Sequence, residues 1–261
     1  MEKADYTTKN TEEAMIKALF SVGAHFGFVK SRRHPSVEPF IFGSKNNFEI
    51  FDLEKTRKEL EKALAFVEEK GREGVKALLV GGKSEAREAI QKAGMELDMP
   101  YVAGRWIGGT LSNFSEIKKR IAKLEELVEQ REKGELNKYT KKEHLLVDRK
   151  IDKLTIYFGG LSQMKSLPKF LVVIDPKKEY TAVAEARKMR IPIVALAGSD
   201  SNLHELDYAI PGNDSSRQTI SFILKEIVSA YKKGKEAARL LTSERSDGGQ
   251  GVKEIIKKTE Q

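Results

Sequence analysis

The sequence has no cysteine among its 261 residues, and that absence excludes disulfide bridges, thiolate metal sites and cysteine nucleophiles together. It also points to a reducing compartment. No run approaches the ~18 apolar residues that a membrane span requires. The first residues are polar and carry Glu2, Asp5, Glu12 and Glu13, so neither a signal peptide nor an Arg-rich transit peptide is expected, and a cytoplasmic location is. Histidine is scarce, with four in the chain. His25, His34, His144 and His204 form no i, i+4 pair, so a helical zinc site of the H-E-x-x-H kind is absent. Gly-x-Ser-x-Gly is missing, as is a Gly-x-Gly-x-x-Gly turn after the first strand.

What is present is charge and a buriable core. Lys and Arg number 47 against 39 Asp and Glu, a net charge of +8 with a pI near 9.3. That surplus favours a polyanionic partner. At 39% hydrophobic and 33% charged residues, the chain can fold around a core.

Short apolar runs alternate with longer amphipathic stretches. Strands are expected at 40–42 and 48–51 with a turn at 43–47, then at 77–80, 101–103, 170–174, 191–196 and 208–210. Helices are expected at 52–70, 83–97, 179–189 and from about 215 to 241. Continuous apolar strands between amphipathic helices indicate an α/β fold whose parallel sheet is covered on both faces.

One segment breaks this rhythm. Ile117, Ile121, Leu124 and Val128 are spaced 4, 3, 4, and Val147, Ile151, Leu154 and Phe158 repeat the spacing. Two helices packed along a narrow seam as a coiled-coil hairpin fit this pattern. Gly134 and Asn137 fall in the connection, Thr140 with Glu143 makes a capping box, and Asn113 with Glu116 makes a weaker one. The body is therefore expected at 1–113 and 159–241, the hairpin at 114–158, and a mobile charged tail at 242–261.

Three features bear on chemistry. Gly81-Gly82-Lys83-Ser84 ends like a phosphate loop, but Ala77 stands where the first glycine is needed and residues 77–80 are required for the strand. The turn can still offer backbone N–H groups to an anion, so an α/β nucleotide- or phosphate-binding enzyme is the competing function. Asp175, Asp200, Asp207 and Asp214 fall near strand ends, where a carboxylate metal site competes with ordinary turn and cap chemistry. Cations mark the third feature. Lys30, Arg32 and Arg33 form a run without an acid, Arg105 opens the loop of the sole tryptophan, Trp106, and Lys141 and Lys142 start the second hairpin helix. These six are the candidate RNA-binding residues, Arg forks matching phosphate oxygens.

Ordered along the chain, several stretches resemble one family: Gly23-Ala24-His25-Phe26-Gly27, Pro39-Phe40-Ile41-Phe42-Gly43 and Asp52-Leu53-Glu54-Lys55-Thr56. Arg105 to Phe114, Thr140-Lys141-Lys142-Glu143, Gly159-Gly160-Leu161, Leu167 to Asp175, Glu185-Ala186, Ile191-Pro192 and Ile210 to Asp214 continue the match. From about Ala14 to Tyr231 the chain is similar to the second protein of the bacterial small ribosomal subunit, the S-two family. The resemblance implies a Rossmann-like or flavodoxin-like body with a coiled-coil hairpin. It also implies a structural, non-catalytic role in translation, bound to small-subunit ribosomal RNA near the head–body junction beside neighbouring ribosomal proteins. In some bacteria the family helps to hold the large mRNA-binding ribosomal protein S-one, which makes that protein a candidate partner. Some members bind a metal through late carboxylates. Here Gly198-Ser199-Asp200 and Asn213-Asp214-Ser215 lack two of those acids, so no metal and no cofactor is expected.

Overall fold

The computed structural model describes the backbone of residues 2–134 and 140–259, and side chains within 12–134 and 140–240. The elements run α1 (Glu2–Ser21), β1 (Phe26–Val29), β2 (Ile41–Lys45), β3 (Phe48–Phe51), α2 (Leu53–Arg72), β4 (Ala77–Val80), α3 (Ser84–Leu97) and β5 (Tyr101–Val102). They continue with α4 (Phe114–Glu132), α5 (Lys141–Phe158), β6 (Phe170–Ile174), α6 (Tyr180–Lys188), β7 (Ile193–Ala197), β8 (Tyr208–Pro211) and α7 (Arg217–Thr259).

Five strands pair in parallel in the order β5-β4-β6-β7-β8. Counted within the sheet this is 2-1-3-4-5, the flavodoxin-like order, whose direction reverses between β4 and β6. Every residue of β4, β6 and β7 is buried, which is why these strands read as unbroken apolar runs. Successive side chains feed opposite cores, as the two-residue strand period requires. Ala77, Leu79, Phe170, Val172, Ile174, Val194 and Leu196 join the core beneath α1, α2, α3 and α7. Leu78, Val80, Leu171, Val173, Ile193 and Ala195 join the core shared with α4, α5 and α6.

The first core is closed by α2 and α7. A Cβ on Gly71 would strike the Tyr231 carbonyl, and one on Gly234 the Glu68 carbonyl, so the two helices touch through reciprocal glycines. Asp52 caps α2 by accepting from the backbone N–H of Glu54 and Lys55.

A second sheet, antiparallel in the order β1-β3-β2, precedes the parallel body. It departs from the expected layout in two places. The strand β1 falls on a segment where none is expected, because Gly27 interrupts its apolar pattern. The turn expected at 43–47 shrinks to Asn46 and Asn47, both at positive φ (50° and 66°), the geometry of a two-residue hairpin loop. Phe40 closes a short 3-10 helix, Pro35–Phe40, and Ile41 begins the strand.

The α4 and α5 helices pack against each other. Ile117, Ile121, Leu124 and Leu127 of α4 are buried with Ile151 and Phe158 of α5, and Val128, Val147 and Leu154 pack beside them. The Thr140–Glu143 capping box is complete: Glu143 N–H faces the Thr140 hydroxyl and the Glu143 carboxylate accepts from Thr140 N–H. The weaker box at Asn113 does not form, because Asn113 Oδ1 accepts from the Ser115 hydroxyl while Glu116 holds Lys119. Gly134 at positive φ leaves α4. Asn137 and the connection at 135–139 lie outside the described residues, as do the side chains of the expected tail, 242–261.

Candidate functional site

In doubly wound sheets the crevice forms beyond the strand ends where the order reverses, and here that point lies after β4 and β6. The Gly81-Gly82 turn leads from β4 into α3, and Asp175 follows β6. Instead of an open anion cradle, the turn meets carboxylates. Gly82 N–H donates to Glu179 Oε1 at 3.1 Å. Lys83 Nζ lies 2.7 Å from Asp175 Oδ2 and 3.2 Å from Asp214 Oδ2, and also donates to the Asp214 carbonyl at 3.2 Å. The groups that would hold a phosphate are thus engaged by three internal acids, which repel an anion.

The electrostatics of this centre follow from burial. Desolvation of the buried Asp214 carboxyl raises its pKa to about 6, against the Lys83 ammonium, which lowers it, and Asp175, which raises it further. Asp214 Oδ2 has Lys83 near but no donor in hydrogen-bond alignment. Burial also works against the charge on Lys83, yet Asp214 and Asp175 carry its pKa above the ordinary value. Glu179 is raised by burial, partly offset by the Gly82 N–H. Among the described residues no group of three or more His, Cys, Asp or Glu is arranged to hold a metal ion.

The antiparallel sheet docks on this centre. Phe28 N–H donates to Ser199 Oγ at 2.9 Å and His34 N–H to the Ser199 carbonyl at 2.9 Å. Asp200 accepts from Lys177 at 2.9 Å and Arg32 at 3.3 Å. The Phe28 ring lies beneath the Arg32 guanidinium at 4.9 Å and the Lys83 ammonium at 5.7 Å. Arg33 reaches the buried Glu49 at 3.2 Å and Glu38 at 3.1 Å. Desolvation raises the Glu49 pKa and the Arg33 charge opposes it.

The six candidate RNA-binding cations therefore separate into two groups. Arg32 holds the loop to Asp200 of the body, and Arg33 holds it to Glu49 of β3 and to Glu38. Lys30, Arg105, Lys141 and Lys142 are exposed and form no ion pair among the described residues. The structure does not gather these four at one point: Lys30 follows β1 in a short 3-10 turn, Arg105 lies beyond β5, and the lysines lie at the start of α5.

Glu185 has a role that residue-type reasoning missed. Its carboxylate accepts from Trp106 Nε1 (3.2 Å), Gly109 N–H (2.7 Å), Leu111 N–H (2.9 Å), and Ser112 N–H and Oγ (3.1 and 3.3 Å). Burial alone would raise its pKa, but the N–H groups of Gly109, Leu111 and Ser112 with the Trp106 indole carry it below the ordinary value. One α6 carboxylate thus fixes the whole loop that launches α4. An acid placed on the apolar face of 179–189 was the available sign in the sequence.

Large apolar groups are exposed on and beside the antiparallel sheet: Phe42 is 80% exposed, Phe20 63%, Phe26 53% and Phe48 52%. His25 stacks on Phe20 at 4.5 Å and meets the Phe26 ring at a tilt, 4.0 Å away. Patches of this kind mark contact surfaces.

Comparison with known proteins places the chain among ribosomal sequences. A family profile described as "Ribosomal protein S2" matches residues 19–234. A relative from a Nitratiruptor species, named small ribosomal subunit protein uS2, is 42% identical over 221 residues, covering 85% of this chain and 83% of the relative. One of the same name from Coprothermobacter proteolyticus is 39% identical over 241 residues, 92% and 89% of the two chains. With a profile that matches most of the chain and two relatives about 40% identical over most of both chains, the chain belongs to the ribosomal protein S2 family.

Proposed function

We propose that the chain is a structural constituent of the small ribosomal subunit in the cytoplasm, binding small-subunit ribosomal RNA near the head–body junction. Family membership supports the ribosomal role. The observation that carries the RNA contact is the separation of cations. Lys30, Arg105, Lys141 and Lys142 are left to solvent while Lys83, Arg32 and Arg33 neutralise buried or half-buried acids. In this reading α4 and α5 form a coiled-coil arm that carries Lys141 and Lys142 toward RNA, and Arg105 sits at its root. The exposed phenylalanines around the antiparallel sheet supply a face for neighbouring ribosomal proteins, with ribosomal protein S-one as a candidate. The work done is scaffolding, and no catalytic step is assigned.

The competing enzyme reading loses its support at Gly82 and Lys83, whose donors are engaged by Asp175, Glu179 and Asp214. Co-sedimentation of the tagged chain with small subunits across a salt series tests the proposal. Stoichiometric retention through a stringent wash is expected, and free protein at low salt would overturn it. Replacing Lys30, Arg105, Lys141 and Lys142 with Gln should make the log–log salt slope shallower by about 0.9 per lost contact, the duplex DNA value, with RNA of similar order. An unchanged slope would remove these residues from the interface.

A further inference from the structure

Between α3 and α7 runs a groove that no role above uses. Its wider part, about 600 Å³, opens by the first turns of the two helices, and a part of about 370 Å³ continues along them. Lys83 ties the two helix starts together through the Asp214 carbonyl and the Ser215 hydroxyl at 3.2 and 3.3 Å. Two positive helix ends therefore share one mouth.

The side chains add to that field. Lys92, Arg217 and Lys225 line the groove, are exposed, and form no ion pair among the described residues. Elsewhere on the helices Lys62, Lys70, Lys119 and Lys123 each bridge an acid three residues away. Among the acids of the groove, Glu96 is neutralised by Lys232 at 2.7 Å. Glu85, which accepts from the Ser84 hydroxyl at 2.8 Å, and Glu88 keep their charge, but Lys92, Arg217, Lys225 and Arg87 outnumber them. Phe222, the aromatic ring in the lining, packs on the core beneath, so the groove lacks the projecting aromatic anchor typical of a protein interface. With 14 residues, α3 is about 21 Å long, enough to follow several phosphates.

We propose that this groove seats the sugar–phosphate backbone of an RNA duplex, with phosphates against Lys92, Arg217 and Lys225. The proposal rests on the ribosomal reading and adds a contact face on the helical layer, remote in sequence from Lys141 and Lys142. The test uses the full chain and a variant carrying Lys92→Gln, Arg217→Gln and Lys225→Gln, each titrated with small-subunit ribosomal RNA over a salt series. The expected result is a slope shallower by about 2 to 3 with an unchanged melting curve, and a normal slope in a Lys92→Arg/Lys225→Arg variant. A wild-type slope in the Gln variant, with wild-type RNA binding intact, would overturn the groove and leave the ribosomal reading standing. Loss of a purified small-subunit protein from the Gln variant, with its RNA slope unchanged, would overturn it in favour of a protein seat. Failure of the wild-type chain to bind either RNA or subunits would overturn both.

Discussion

Two buried carboxylates, one on α6 and the other in the loop beyond β8, solve the same electrostatic problem differently. Glu185 is met by five donors and no cation, and its pKa falls below the ordinary range. Asp214 has an ammonium at 3.2 Å, yet its pKa rises to about 6, because burial and the second acid, Asp175, outweigh Lys83. A preorganised set of N–H dipoles solvates a buried charge more completely than a single cation shared between two acids. The consequence is functional. Glu185 secures the loop beneath the α4–α5 pair at any ordinary pH, whereas the centre at Asp214 is sensitive to it.

The largest effect is expected from breaking the well-solvated site. Glu185→Gln replaces a two-oxygen acceptor by one oxygen and an NH₂ that meets donors, so several N–H groups lose their partner. At about 1–3 kcal/mol for each unsatisfied buried group, a loss of roughly 3 kcal/mol is expected in chemical denaturation. A loss below about 1 kcal/mol would show that the loop re-forms without the carboxylate.

A pH titration of stability tests the other site. The folded pKa of Asp214 is raised above its ordinary 3.8 to about 6, so the folded state binds the proton more tightly than the unfolded chain. Its contribution is fully present below about 4 and is lost as pH rises through about 6, an effect of order 3 kcal/mol. Glu185 has the opposite sign: its contribution is present above its ordinary value of 4.5 and is lost as pH falls through its lowered folded pKa. Asp214→Asn should flatten the curve between about 4 and 6, while Glu185→Gln should flatten it only below about 4.5. An Asp214→Asn curve that keeps the wild-type slope would assign the dependence to Glu49 or Glu179.

The smallest change expected is at the α5 cap. Thr140→Ala removes the acceptor for Glu143 N–H and should cost about 1 kcal/mol in the same denaturation assay. Lys141→Gln, one residue on, should alter stability by less than about 0.5 kcal/mol, since its ammonium touches no acid. Equal effects from the two would mean that the lysine also supports the helix.

The amino-acid sequence by itself determined the layers of this protein. Runs such as Leu171 to Ile174 can be buried only on both faces of a parallel sheet, and the 4, 3, 4 spacing before Val128 and Phe158 announces the α4 and α5 seam. It also carried the ordered motifs of the family, because those stretches are contiguous. The cations were legible as residue types, but their division was not. Arg33 lies among exposed-looking polar neighbours in the chain, and only folding brings Glu49 beneath it. Tertiary structure alone decided that Lys83 faces Asp175 and Asp214, far along the chain, and that Glu185 gathers the backbone of 109–112. The reason is physical: a pattern records what each local segment must bury, whereas the partner of a buried charge depends on which strand ends the sheet order brings together.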